Sequence, residues 1–517
     1  MLTVLIVLLL VSAFVLGAWL SVYLYGQFAR RARGAPSHSL ATSGPETPID
    51  GMVAPLTCER PDRTGLVLVE DNLDAFAVRA LTARHAGRSL DVMYYIWKRD
   101  LTGRLLAREL VNAADRGVRI RILLDDLNTY GHDRTWLTLD AHPNMAVRLF
   151  NPARSRKGAF KRGVEMLLRA FSATRRMHTK AWIADGQLAL IGGRNIGDAY
   201  FDAGMSANFR DLDLLVLGKS VRHTAELFDQ YWNSAGALPI RALHPRRRTI
   251  PTRLTRSLAS DARSSQARPY LQRVRARKSV REMLSGDGRI FWTSHAEVIA
   301  DPPEKALGAT QDAWLINYVR PVISSASRNL HIMSPYFVPR RPGTDLLTGL
   351  VRRGARVRVL TNSLAATDVM AVHGAYARWR EQLLAGGVEL FELKPYATHK
   401  RDSLFGSSVA SLHTKAFTID DRTGFVGSMN FDPRSTSLNC EMGIQFVHPG
   451  LTREIQRVFA EQASPQKSYR LRLDKDGLGW EDLSQDTLRI LRGEPAARPW
   501  RRIVACIVRI LPIDAQL

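Results

Sequence analysis

The stretch that decides the fold is written twice in this chain. Residues 178–195 read HTKAWIADGQLALIGGRN, and residues 413–430 read HTKAFTIDDRTGFVGSMN. His178, Thr179, Lys180, Asp185, Gly192, Gly193 and Asn195 are answered by His413, Thr414, Lys415, Asp420, Gly427, Ser428 and Asn430, each displaced by 235 positions. Lysine is scarce, twelve in the whole chain, and two of the twelve hold this position. Composition predicts roughly 0.3 chance HxK pairs, and a full copy with its Asp, Gly and Asn has a chance on the order of 10⁻⁵. Two aligned copies therefore mark a duplication.

The spacing also fixes what the residues can do. Strand alternation puts His178, Lys180 and Trp182 on one face and Thr179, Ala181 and Ile183 on the other, so His and Lys project together. The next strand, 188–191, ends in a glycine turn that brings the Asn alongside. Each half thus offers an imidazole, an ammonium and an amide, but no nucleophile and acid together. Two halves placed face to face give two imidazoles flanking a cationic pocket. That suits a phosphodiester, whose non-bridging oxygens Lys180, Lys415, Asn195 and Asn430 can bind, with Ser428 beside them. No third ligand accompanies the histidines at metal spacing, so the reading is a site that uses neither metal nor cofactor.

Moving outward, the repeat continues on both sides. LDVMYYIW (90–97) parallels LHIMSPYF (330–337), and RGVRIRILLDD (116–126) parallels RGARVRVLTNS (353–363). The chain reads as a duplicated α/β unit, residues 64–240 and 286–465. The first carries its motif at about 173–200 and the second at about 408–435. Between them, 241–285 is expected to be a basic linker: Arg241–Arg281 holds thirteen Lys or Arg and one acid, Asp261. Residues 466–517 form a C-terminal extension. Its segment WRRIVACIVRIL (500–511) reads equally as a helix lying on a bilayer or as a core helix. Arg154–Arg176 is basic and partly amphipathic, which most often means a surface helix and less often a membrane contact.

The N-terminus adds a different class of segment. Leu2–Tyr25 carries no charge, and as a helix it spans roughly 36 Å against a hydrocarbon core of about 30 Å. No basic residue precedes it and no small-x-small cleavage site follows, so residues 1–27 read as a retained anchor and not a signal peptide. Arg30, Arg31 and Arg33 follow it, which predicts a body on the cytoplasmic side of the membrane. Residues 34–63, with five prolines among Ser, Thr and Gly, are expected to be a flexible tether. In composition the chain is globular, 45% hydrophobic and 24% charged over 517 residues, too long for one core. Its net charge of +24 favours anionic partners, and three scattered cysteines exclude a disulfide framework.

With these residues in hand, the sequence resembles the phospholipase D superfamily. The resemblance covers nearly everything after residue 65. GGRNIGDAYF (192–201), RDLDLLVLG (210–218), LTNSLAATDV (360–369) and NFDPRSTSLNCEMG (430–443) look most like bacterial cardiolipin synthases of the C-type. That resemblance implies two α/β/α sandwich domains about a pseudo-two-fold axis, with the active site between them. It implies metal-free phosphatidyl transfer through a phosphohistidine, making cardiolipin from phosphatidylglycerol and a second phospholipid. His178 would be the nucleophile and His413 the general acid, within a catalytic set of His178, Lys180, Asp185, His413, Lys415 and Asp420. Asp213 and Glu441 would orient the imidazoles, and Asp185 and Asp420 would support the site more than touch substrate. Spacing alone does not assign the two histidine roles. The expected partners are anionic phospholipids and a membrane surface, without nucleic acid. The alternative is a phospholipase D-type phosphodiesterase, either lipid hydrolase or nuclease. The basic segments lack the interleaved aromatics that stack single strands, which counts against a nuclease.

Overall fold

A computed structural model describes residues 1–43, 46–156, 158–204, 208–244, 251–277, 289–308, 314–395, 410–483 and 487–511. The first half contributes β1 (Thr64–Val69), β2 (Ser89–Tyr94), β3 (Arg119–Asp125), β4 (Met145–Phe150), β5 (Ala181–Ala184), β6 (Leu188–Gly192), β7 (Asn208–Arg210), β8 (Asp213–Gly218), β9 (Ala237–Pro239) and β10 (Phe291–Thr293). The second contributes β11 (Ala296–Ala300), β12 (Asn329–Met333), β13 (Arg356–Asn362), β14 (Glu389–Leu393), β15 (Ala410–Leu412), β16 (Ala416–Ile419), β17 (Thr423–Gly427) and β18 (Met442–Val447). After these come β19 (Ser468–Asp474), β20 (Gly477–Asp482) and β21 (Arg489–Leu491).

One sheet has the order β10-β1-β8-β6-β5-β2-β3-β4-β9, the other β11-β18-β17-β16-β12-β13-β14-β19-β20-β21. The run β1-β8-β6-β5-β2-β3-β4-β9 matches β11-β18-β17-β16-β12-β13-β14-β19 strand for strand. In both, the three strands β2-β3-β4 or β12-β13-β14 are parallel and their neighbours antiparallel. The duplication read from the motifs is thus a duplication of topology. Parallel strands need both faces covered, and the sequence provides this: every residue of β2 is buried and all but the first of β3. Arg121, in the middle of β3, is tolerated there because Asp91 on β2 accepts from its Nε and Nη2 at 2.7 and 2.8 Å.

Three apolar layers follow. One lies outside the first sheet, under the helices Asn72–His85 and Leu101–Asp115. One lies outside the second sheet. The central layer joins the halves: Phe228, Tyr231 and Trp232 of the helix Lys219–Asn233 share a core with Leu451, Ile455 and Phe459 of the helix Pro449–Gln462. The helix Leu2–Ala32 is long and apolar enough to cross a membrane, and its most apolar window is unburied.

Four boundaries differ from the sequence reading. The apolar helix does not stop at residue 27 but runs to Ala32, with Ala29 buried. The segment expected as a flexible tether contains the helix Pro48–Thr57, started by a Thr47–Asp50 capping box. Its Ile49 and Val53 sit in the first core, and five prolines concealed that amphipathic turn. The expected basic linker is largely a cover: the helices Pro251–Asp261 and Ala267–Arg275 bury Leu258 and Tyr270 in the same core, while 245–250 and 278–285 lie outside the described residues. Lastly, β10 belongs to the first sheet although it follows that cover, and β19-β20-β21 of the C-terminal extension widen the second.

Candidate active site

Each motif histidine stands just before a strand antiparallel to the parallel run, β5 against β2 and β16 against β12. This places both at the ends where active sites of such sheets gather. What brings them together is pairing between the halves. His178 N–H donates to Cys440 O and Cys440 N–H to Arg176 O, both at 2.8 Å. On the other side of the axis β15 runs parallel with β7, and His413 N–H donates to Arg210 O at 2.7 Å.

That exchange gives each imidazole a carboxylate from the opposite half. His178 Nδ1 lies 2.7 Å from Glu441 Oε2, and His413 Nδ1 lies 2.5 Å from Asp211 Oδ2. The Nδ1–H donates to the carboxylate in each case, which fixes the tautomer and presents Nε2 for chemistry. Glu441 is itself held by Ser428 Oγ at 2.6 Å and Ser435 Oγ at 2.8 Å. Aromatic edges brace the rings, Tyr95 on His178 and Tyr200 with Phe209 on His413. Lys180 Nζ donates to His178 O at 2.6 Å and Lys415 Nζ donates to His413 O, so each lysine is folded back into its own motif.

The site is buried and cationic, and its titration follows from that. His178 is held well below the usual imidazole range by burial, reinforced by Lys180, Lys415 and His413. His413 is also lowered, by burial and Lys415, but Asp211 pulls it back. Burial pushes the Lys180 ammonium down to about 7 and lowers Lys415 in the same direction. Glu441 is pushed up to about 7 by burial, whereas for Asp211 burial is outweighed by His413 and Lys415 and the carboxyl titrates below its usual range. The first dyad is therefore the less charged of the two.

Several residues differ from their expected roles. Asp213 does not touch an imidazole; it accepts from Arg79 Nη2 at 2.8 Å and faces Arg194 at 3.4 Å in the first core. Asp211 takes the place expected for it. The ladder explains the slip: Gly192 pairs with Asp213 and Gly427 with Gly443, so Asp211, two residues earlier, is the counterpart of Glu441. A longer segment between motif and strand in the first half hides this from counting. Glu441 orients a histidine as expected, but across the interface. Ser428 is committed to Glu441 and to Met442 N–H, not free to meet a phosphate.

Asp185 and Asp420 sit at the far ends of β5 and β16, away from the imidazoles. Each opens a tight turn with left-handed backbone, φ +53° and +50°, that Asp tolerates. Asp185 accepts from the N–H groups of Gly87, Arg88 and Ser89, Asp420 from those of Ser327, Arg328 and Asn329. They clamp the start of the central strand. Asn195 is engaged by Ile96 N–H and Tyr200 Oη, while Asn430 Oδ1 is buried without a partner. The amides are therefore not equivalent. Ser435, Tyr95 and Tyr200 were not singled out by the sequence reading. The offset of Ser435 from Glu441 on the other side of Cys440 gave no periodic signal.

Among the described residues, the cluster that could hold an ion is elsewhere: His373, Glu392 and Glu494 converge, with Arg380 paired to both carboxylates.

Two facing α/β units with crossed histidine–carboxylate dyads define the phospholipase D class of fold. The family model described as "Cardiolipin synthase, PLD-like domain" matches residues 82–232 and 319–463, and the chain belongs to that family. It is 40% identical over 473 residues to cardiolipin synthase C of Escherichia coli K12, covering 89% of this chain and 98% of that protein. An uncharacterized protein of Helicobacter pylori 26695 is 30% identical over 90% of this chain and 92% of its own length. A cardiolipin synthase of Staphylococcus aureus Mu50 is 24% identical, covering 77% of this chain and 66% of that protein. Among solved structures, phosphatidylserine synthase of Haemophilus influenzae shares the fold, with a TM-score of 0.54 at 14% identity, over 86% of this chain and 92% of that one.

Proposed function

We propose that this chain makes cardiolipin by transferring a phosphatidyl group from phosphatidylglycerol to a second phospholipid through a phosphatidyl-histidine. The observation that carries the reading is the pair of crossed dyads around one lysine-lined site. It is supported by the identity with a cardiolipin synthase over nearly the full length of both chains. His178 Nε2 attacks phosphorus, and the P–O bond to the leaving glycerol breaks as His413 Nε2 gives that oxygen its proton. The acceptor hydroxyl then returns a proton to His413 and displaces His178. The family resemblance assigns these roles, and the directions of the charges agree with it. A nucleophile must be neutral, and burial with the neighbouring lysines holds His178 well below the usual imidazole range. The acid must be stabilised when charged, and His413 faces the carboxylate that titrates low. A bound phosphodiester restores positive charge to the two lysines that burial has weakened, so their attraction is greatest with substrate present.

The reading places the body against the membrane that the N-terminal helix crosses, on the cytoplasmic side favoured by Arg30, Arg31 and Arg33. The helix Ala159–Leu168 packs along that anchor and exposes Phe160 and Leu167. At the other end of the chain, the helix Pro499–Ile510 buries Ala505 and Val508 and leaves Trp500, Ile503 and Ile507 outward beside three arginines. Such a face suits an anionic surface.

Lipid analysis of a host lacking its own cardiolipin synthases tests the function. Cardiolipin should appear with the wild-type chain and not with His178→Ala. Phosphatidic acid accumulating in place of cardiolipin would make the enzyme a hydrolase.

A further inference from the structure

Behind the second motif lies a cavity of about 230 Å³ that the mechanism does not use. Its walls are apolar, among them Ile316, Ile323, Leu346, Met429 and Phe431, and the exposed Arg320 and Arg340 stand at its rim. The wall toward the catalytic centre is the segment Met429–Asp432. Met429 and Phe431 line the cavity, while Asn430 between them is not part of its wall. Asn430 N–H instead bonds Ser435 Oγ, which holds Glu441 and through it His178. One short stretch of chain therefore separates the cavity from the reacting groups.

The first half shows that the space is not an obligatory result of the fold. Trp97 and Phe337 are counterparts, each bridging the residue after the motif asparagine, Ile196 and Phe431. In the first half Phe76 and Phe201, at the positions of Ile316 and Thr436, pack edge-on with each other, Tyr270 of the helix Ala267–Arg275 packs edge-on against Phe76, and the three rings fill that space. In the second half the smaller Phe337 takes Trp97's place. Among the described residues, the helix Leu315–Ser324 has no counterpart of Ala267–Arg275 over it.

We propose that this cavity binds one acyl chain of the phospholipid whose phosphate is at the histidines. The inference rests on the phosphatidyl-transfer reading. A dry apolar cavity of about 150 Å³ already accepts a six-carbon ring, so this one has room for roughly eight or nine carbons of a chain. The exposed Arg320 and Arg340 at its mouth suit the anionic bilayer from which such a chain is drawn.

Full-length Leu346→Trp fills the cavity from its half-buried wall. The measurement is the ratio of kcat/KM for dioleoyl- over dibutanoyl-phosphatidylglycerol in mixed micelles. We expect the ratio to fall about tenfold or more in Leu346→Trp and to be kept in Leu346→Met, since burial of methylenes drives the preference. In parallel, phosphatidylglycerol with a diazirine at the ninth acyl carbon should label residues 316–347 or 429–436 in wild type, and much less in Leu346→Trp. An unchanged ratio in a variant that melts like wild type, or label confined to other regions, overturns the proposal. Labelling by a diazirine fatty acid but not by the phospholipid also overturns it. Absence of phosphatidyl transfer at either chain length would instead fail the functional reading, while the label still reports on the cavity.

Discussion

The two halves superpose in topology and in motif, yet they treat their outer layers and their charges differently. In the first, Phe76, Phe201 and Tyr270 of a covering helix fill the space beside the motif asparagine, and Asn195 has partners for both ends of its amide. In the second, the same space is open, and Asn430 Oδ1 has no partner. The dyads differ too, with Asp211 kept charged and Glu441 pushed toward neutrality. Symmetry is held in the pairing of the two motifs and given up in the outer layers and in the acids.

The sharpest break in that symmetry should come from the histidines. His178→Ala should lose activity by about 10⁴ or more and leave no acid-labile label from phosphate-labelled substrate. His413→Ala should still take up label from a substrate with a nitrophenyl leaving group, because departure then needs little protonation, and should release it slowly. Label on His413 in wild type would exchange the roles.

Next come the carboxylates. Asp211→Asn should cost on the order of 10²-fold in turnover and move the basic limb of the pH profile to lower pH. The sign follows from His413: Asp211 raises its pKa, so without it the protonated form is lost sooner as pH rises. The acid limb should stay, since it reports His178, whose neutral form persists below pH 6.5 and is lost only as pH falls through its lowered pKa. Movement of both limbs together would mean that the dyads are not separable.

Asp213→Asn, only two residues away, should act on stability and not on pH. It leaves the buried Arg79 and Arg194 without their carboxylate, a loss of about 3–5 kcal/mol seen as a lower Tm. The smallest effects belong to the turn aspartates. Asp185→Asn should destabilise by about 1–2 kcal/mol, and Asp420→Asn by less because its turn is more exposed, with near-normal kcat in the folded fraction. A selective loss of kcat would restore these residues to the chemistry.

Much of this was legible in the sequence because chemistry repeats at fixed spacing. His178, Lys180 and Asn195 with their counterparts follow from strand alternation and one turn, which are local rules. Asp213 failed because the identity of an imidazole's partner depends on strand register across a gap of unequal length, and nothing in RDLD tells which Asp faces which side. The helix Pro48–Thr57 and the cover Pro251–Arg275 failed for another reason. Proline and arginine content argued for loops, while a few residues (Ile49, Val53, Leu258, Tyr270) supplied enough apolar area to pin them down. The contents of the cavity wall were written in the sequence, but not that they enclose space.

The crossed pairing of His178 with Glu441 and His413 with Asp211 has a historical consequence. Neither half by itself holds a histidine with its own carboxylate, so neither is a working unit that a second copy merely doubled. An ancestor of one half's length would have been complete only as a two-fold dimer, with both subunits identical at the site. Fusing two such genes kept every contact already present, while freeing the copies to mutate separately. The filled first half, the open second half and the unequal acids are differences that a homodimer could never have inherited.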